Sequence, residues 1–123
     1  MQKEKILVTG SAGFIGFHMA KLLLERGQIV CGYDCVSDYY DVGLKYKRID
    51  ILKKFEGFCF EKYDLENFDE LLLKMKKFDP NFVLHFAAQA GVRNSIDDPR
   101  TYLNANINGT FNILEAVRQC ENL

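Results

Sequence analysis

The residues of this chain best suited to handling a phosphate lie in Thr9-Gly10-Ser11-Ala12-Gly13-Phe14-Ile15-Gly16, where glycines recur as GxxGxxG. A short β-branched run, Lys5–Thr9, precedes them. Residues at helical spacing follow: Ile15, Met19, Leu22, Leu23 and Arg26. In such a strand–loop–helix, one glycine permits the sharp turn out of the strand. Another lets backbone N–H groups approach a pyrophosphate, and the last lets the helix pack closely. The helix start adds unpaired N–H groups and the positive end of its dipole. The second chemical group is Asp34, which ends the next strand-like run, 18 positions beyond Gly16. A carboxylate there accepts both hydroxyls of an adenosine ribose and repels a 2′-phosphate, which favours NAD over NADP. Asp34 alone reads equally well as a solvated acid at a strand end. Together with the glycine loop it makes a dinucleotide fingerprint. Asp64-Leu65 closes the third strand-like run, where the carboxylate could bond the adenine amino group, cap the next helix, or do both.

These groups need elements to hold them. Four strands are predicted, at Lys5–Thr9, Gln28–Asp34, Phe58–Tyr63 and Phe82–Phe86. The first helix ends at Gly27, a left-handed cap position. A basic helix is expected over Gly43–Leu52, and Phe68, Leu71, Leu72 and Met75 give the third helical period. Ala87–Ser95 reads as a loop. Pro99 opens a long last helix with Leu103, Ile107, Phe111, Leu114 and Val117 along one face. Strands alternating with helices predict an α/β fold: a Rossmann-like parallel sheet with helices on both faces, about four strands in extent. Asn104, Asn106, Asn108 and Asn112 crowd the last helix, although asparagine is a poor helix former. Local conflicts of this kind sometimes mark function.

The 123 residues and 14.2 kDa fit a single domain. With 16 basic and 17 acidic residues, the chain has no field for nucleic acid or an acidic membrane. Apolar runs are too short to span a bilayer, and the start MQKEKILVTG lacks the pattern of a signal peptide. A cytoplasmic location is expected. Cys31, Cys35, Cys59 and Cys120 form no CxxC pair and have no histidine at ligand spacing, so no metal site is expected. They read as ordinary reduced thiols. His18 and His85 read as structural.

The loop TGSAGFIG resembles the TGxxGxxG fingerprint of the extended short-chain dehydrogenase/reductase family. His85 through Arg93 (HFAAQAGVR) is similar to the segment after the fourth strand of nucleotide-sugar epimerases. Asp38-Tyr39-Tyr40-Asp41 and Tyr102 through Glu115 (YLNANINGTFNILE) resemble further motifs of the UDP-glucuronate 4-epimerase group, known from capsule polysaccharide synthesis. The resemblance implies that Gly10, Ser11, Ala12, Gly13, Phe14, Ile15 and Gly16 bind the pyrophosphate of NAD. It implies that Asp34, with Cys35 beside it, holds the ribose, and that Asp64 and Leu65 flank adenine. Ala87, Ala88 and Gln89 would lie under the cofactor, Asn106 would support its nicotinamide half, and Val92 and Arg93 would approach a nucleotide sugar of the UDP-hexuronate class.

Family chemistry is a transient oxidation at carbon 4 of the sugar, with the hydride returned to the opposite face. Its base is the tyrosine of a YxxxK motif. Tyr33, Tyr39, Tyr40, Tyr46, Tyr63 and Tyr102 are followed four positions on by Ser37, Gly43, Leu44, Asp50, Asn67 and Asn106, never by lysine. The chain is therefore expected to be the first part of such an enzyme, residues 1–123 forming a partial NAD-binding domain without catalytic residues and inactive alone. Alternatives are the same part of a sugar-nucleotide 4,6-dehydratase, a non-catalytic NAD-binding or assembly module, or a fold-only relic. Self-association is expected through an uncovered Phe82–Phe86 edge, the last helix, or both.

Overall fold

The structure is a computed structural model and describes residues 2–123. Four parallel strands, β1 (Lys5–Thr9), β2 (Ile29–Asp34), β3 (Phe58–Lys62) and β4 (Phe82–His85), form one sheet in the order β3-β2-β1-β4. The expected α/β architecture is present. Side chains of β1 explain the burial on both faces. Leu7 joins a core with Cys31, Tyr33, Leu71, Met75 and Ile113, while Ile6 and Val8 join Phe17, Ala20, Leu24 and Val30 on the opposite side. Successive strand residues point to opposite faces, so one apolar run feeds two cores.

Helices α1 (Phe14–Glu25), α2 (Val42–Lys53) and α3 (Phe68–Phe78) link the strands. Local chemistry sets their ends. Gly27 takes φ +82° after α1. The Asp41 carboxylate caps α2 by accepting from Gly43 N at 2.8 Å. Helix α3 has Asn67 at its cap, Asp69 and Glu70 in its first turn and Lys76 and Lys77 in its last, which complements the helix dipole. Among the described residues, no helix is long and apolar enough to cross a membrane.

Two sequence expectations change after β4. The presumed loop Ala87–Ser95 contains the start of a short helix, α4 (Val92–Asp97), entered through Gly91 at φ +103°. The expected single long helix is three pieces: α5 (Pro99–Tyr102), a π-helical stretch Leu103–Asn108, and α6 (Gly109–Arg118). Its apolar stripe also faces outward. Leu103, Ile107, Phe111 and Leu114 are exposed, while Ile113 and Ala116 are buried in the core with Leu7 and Gly109 is buried against Leu65. Of the five stripe residues, Val117 alone packs against the core containing Leu7.

Adjacent residues of α6 test this orientation. Ile113→Ala, at a site 3% exposed, should cost about 2–5 kcal/mol of stability. Leu114→Ala, at a site 61% exposed, should change it by under about 0.5 kcal/mol. Urea unfolding at concentrations where the chain is monomeric reads both, and a reversed ranking would refute the inward face assigned here.

Candidate dinucleotide-binding site

The glycine loop is built on backbone contacts closer than any side chain allows. Gly10 leaves β1 at φ +72°, and a Cβ there would lie 2.8 Å from Ala87 N. A Cβ on Gly16 would lie 2.0 Å from the Gly10 carbonyl oxygen, deep inside contact distance. Gly13 donates its N–H to that same oxygen at 2.9 Å and stands at the cap position of α1. Gly10 N–H is tied in turn to Tyr33 O at 2.7 Å, locking the loop to the end of β2. Phe14 and Ile15 turn their side chains to solvent, so what they offer at the site is the backbone of the first helical turn. Ser11 is fully buried, and its Oγ has no hydrogen-bond partner among the described residues. Gly32 makes room for it, since a Cβ there would lie 2.5 Å from the Ser11 Oγ.

Asp34 braces this loop as well as ending β2. One carboxylate oxygen accepts from Ala12 N at 3.0 Å and the other from Val36 N at 2.7 Å. Val36 is held at φ +52°, a strained conformation for a β-branched residue, and is buried with Ala12 and Ile49. Strain of this kind concentrates at functional positions. Cys35 lies between Asp34 and Val36, and its thiol is pushed up by partial burial and by the Asp34 and Asp64 carboxylates. Arg48, which sequence reasoning did not single out, reaches back from α2 to donate to Ala12 O at 3.0 Å.

The opposite wall hangs on a polar relay. Thr9 Oγ1 accepts from Phe86 N at 3.0 Å and from Ala87 N at 3.1 Å. With its lone pairs occupied, its hydroxyl donates to His85 Nδ1, 2.6 Å away. His85 therefore carries its proton on Nε2 and donates to Thr110 Oγ1 at 2.9 Å. Farther along, Asn106 grips the backbone of Gln89 twice, accepting from its N–H at 2.7 Å and donating to its carbonyl at 3.1 Å. Asn106 lies in the π-helical stretch, a distortion frequent at functional sites. Tyr102 OH donates to Ala90 O at 2.8 Å.

After β3, Asp64 accepts from Glu66 N at 3.0 Å, and the cap of α3 is Asn67, so Asp64 does not serve as that cap. Asn112 donates to the Leu65 carbonyl at 2.8 Å, a role the asparagine-rich pattern hinted at without assigning. The glycine loop, Ala87, Ala88 and Gln89 follow the carboxyl ends of β1 and β4, at the switch point where β1 lies between β2 and β4; Asp34 ends β2 with Cys35 next to it, and Asp64 and Leu65 follow β3 on the same edge of the sheet. Val92 and Arg93 are set apart on α4, both exposed, Val92 to 85%.

Such a sheet, with a glycine turn at its switch point and an acid ending the second strand, defines a dinucleotide-binding α/β fold. The family model described as GDP-mannose 4,6-dehydratase matches residues 7–123, and the chain belongs to that family. The resemblance to extended short-chain dehydrogenases/reductases is borne out. Protein CapI of Staphylococcus aureus is 51% identical over 114 residues, covering 93% of this chain and 34% of CapI. A UDP-glucuronate 4-epimerase of Thermodesulfobacterium geofontis is 46% identical over 112 residues, covering 91% of this chain and 35% of the enzyme. The crystal structure of UDP-glucuronic acid 4-epimerase from Bacillus cereus in complex with UDP-glucuronic acid and NAD superposes with a TM-score of 0.83 at 36% identity. That match covers 95% of this chain and 37% of the epimerase chain. The chain thus spans about a third of the length of the curated relatives it matches.

The relay makes a pH prediction. Burial lowers the His85 pKa below its ordinary 6.5, and a proton on Nδ1 would face the Thr9 hydroxyl hydrogen. The stability that neutral His85 contributes is full above the unfolded value of 6.5 and is lost as pH falls from there through the folded value. Denaturant midpoints measured from about pH 7.5 down to about pH 5 should therefore fall more steeply for the wild type than for His85→Gln. Parallel curves would refute the role.

Proposed function

We propose that this chain is the NAD-binding portion of an NAD-dependent nucleotide-sugar 4-epimerase acting on UDP-hexuronates. The observation that carries the reading is the glycine cradle, whose Gly10 and Gly16 positions exclude a Cβ and whose loop is braced by Asp34. The buried, unpartnered Ser11 Oγ beside it suits the same group. The residues present therefore fit a dinucleotide. Gly10, Ser11, Ala12, Gly13, Phe14, Ile15 and Gly16 would hold the pyrophosphate, chiefly through backbone N–H groups. Asp34 would accept from the ribose with the lone pairs that Ala12 and Val36 leave free, and Cys35 would lie alongside. Asp64 and Leu65 would flank adenine, and Ala87, Ala88 and Gln89, set by Thr9 and Asn106, would line the nicotinamide side. Val92 and Arg93 would meet the sugar nucleotide. Bound NAD supplies a hydride acceptor for carbon 4 of the sugar.

Residues 1–123 are then a partial cofactor domain. No tyrosine–lysine pair of the YxxxK type occurs in this sequence, so the chain alone would hold the cofactor without completing turnover. The corresponding portion of a 4,6-dehydratase is the second reading, favoured by the description of the matching family model. Four free thiols suit a reducing, cytoplasmic setting.

Calorimetric titration tests the proposal. NAD should bind and NADP should not, and Asp34→Asn should weaken NAD by about tenfold or more while narrowing its advantage over NADP. The narrowing separates a ribose contact from the structural brace, because loop damage alone would weaken both cofactors equally. Absence of heat with either cofactor would sink the reading.

Self-association belongs to the same proposal. Its supports are β4 at the end of the sheet, with Phe82 exposed, and the outward stripe Leu103, Ile107, Phe111 and Leu114. Light scattering at high concentration should give a multiple of 14.2 kDa, and a constant monomer mass would end the idea.

A further inference from the structure

Cys31 and Cys59 are register partners on the neighbouring parallel strands β2 and β3. Register partners in a sheet project from the same face, and hydrogen-bonded strands lie about 4.7–4.9 Å apart. That spacing falls inside the roughly 4.4–6.8 Å between Cα atoms that a disulfide spans. The two thiols differ in access. Cys31 is 2% exposed, in the core with Leu7, Tyr33, Tyr63 and Met75, whereas Cys59 is exposed on the edge strand. They differ in acidity too. The neighbouring Cys31 thiol pulls Cys59 below its ordinary value, against burial and the Glu61 carboxylate. Cys31 itself is raised by Cys59 and by burial. The arrangement therefore has an accessible sulfur inclined to the thiolate and a shielded thiol beside it. The dinucleotide site uses neither.

We propose that Cys59 and Cys31 form a peroxide-reactive dithiol, with Cys59 the attacking sulfur and Cys31 the resolving one. The Cys59 thiolate attacks an oxygen of a hydroperoxide, an S–O bond forms, the O–O bond breaks, and the alcohol (water, from hydrogen peroxide) leaves. The Cys31 sulfur then attacks the Cys59 sulfur and gives up its proton. The S–S bond forms and the sulfenic oxygen departs as water. Two thiols are oxidised by two electrons to one disulfide, and one hydroperoxide is reduced. The bond would tie the edge strand to β2 three residues before Asp34, and it needs neither NAD nor a sugar substrate.

Folded chain treated with stoichiometric hydrogen peroxide, alkylated, digested and mapped by mass spectrometry is the test. The expected product is a Cys31–Cys59 cross-linked peptide, two hydrogens lighter than the reduced pair and abolished by reduction. Cys31→Ala should leave a sulfenic acid at Cys59 that dimedone traps, and Cys59→Ser should leave Cys31 as a free thiol. Three results would overturn the proposal: Cys59 over-oxidised beside a free Cys31, cross-links from Cys59 to Cys35 or Cys120 instead, or Cys59 reacting no faster than Cys35 and Cys120.

Discussion

The close approach of bare backbone around the Gly10 carbonyl is the constraint on which the rest of the site depends. Gly13 donates to this oxygen, and Gly16 passes so near that a methyl group could not fit. The start of α1 is thereby drawn down onto the end of β1, with its first-turn N–H groups at the sheet's carboxyl edge. Gly10 also touches the backbone at Ala87, so the same contact fixes how close the post-β4 chain can come. A Cβ at either position would wedge these elements apart, and overpacking a well-filled site costs about 1–3 kcal/mol. More to the point, the crevice would open. The geometry proposed to admit a pyrophosphate and the geometry that packs the helix are one and the same.

Side-chain hydrogen bonds then fasten what the glycines bring together. Thr9, His85 and Thr110 link the end of β1, the end of β4 and α6 in one relay. Asn106 and Asn112, a turn and a half apart, bond to the backbones of the loops after β4 and β3. This resolves the conflict of asparagines in a helix. Their weak helix propensity costs a few tenths of a kcal/mol each, while a hydrogen bond to backbone that would otherwise lack a partner is worth about 1 kcal/mol. The helix after β4 acts as a rail for two loops, and the π-helical stretch is the place where Asn106 grips Gln89.

The strands were legible almost residue by residue, because β1 and β2 are buried on both faces and burial imposes an unbroken apolar run. The glycine loop and Asp34 were legible because their spacing is a backbone requirement. The segment after β4 was not. VRNSID is too short for a hydrophobic period to show, and its apolar Val92 and Ile96 face solvent. In the last helix the period was real but its direction was misleading. A stripe of large apolar residues identifies an apolar face without saying what covers it. Here the inward face is Gly109, Ile113 and Ala116, small or medium residues, and Gly109 lies against Leu65. The relay of Thr9, His85 and Thr110 left no sequence signal, because its members are 76 and 25 residues apart and each is an ordinary residue for its element.

Burial across the sheet follows the division of labour. The central strands β1 and β2 are buried along nearly their whole length, while β3 and β4 are only partly covered. Groups at the ends of β1 and β2, namely Gly10, Ser11 and Asp34, therefore stand on the least deformable part of the molecule. Interiors packed this densely transmit strain instead of absorbing it, which suits a site that must hold its ligand with fixed backbone donors. Outward from there the supports change from packing to hydrogen bonds, as at Gln89 and Leu65, and end at α4, where Val92 and Arg93 are exposed. Packing support thus falls from the glycine loop toward α4. The glycine loop is set by the chain's own core, whereas Val92 and Arg93 have no comparable packing to fix where they point.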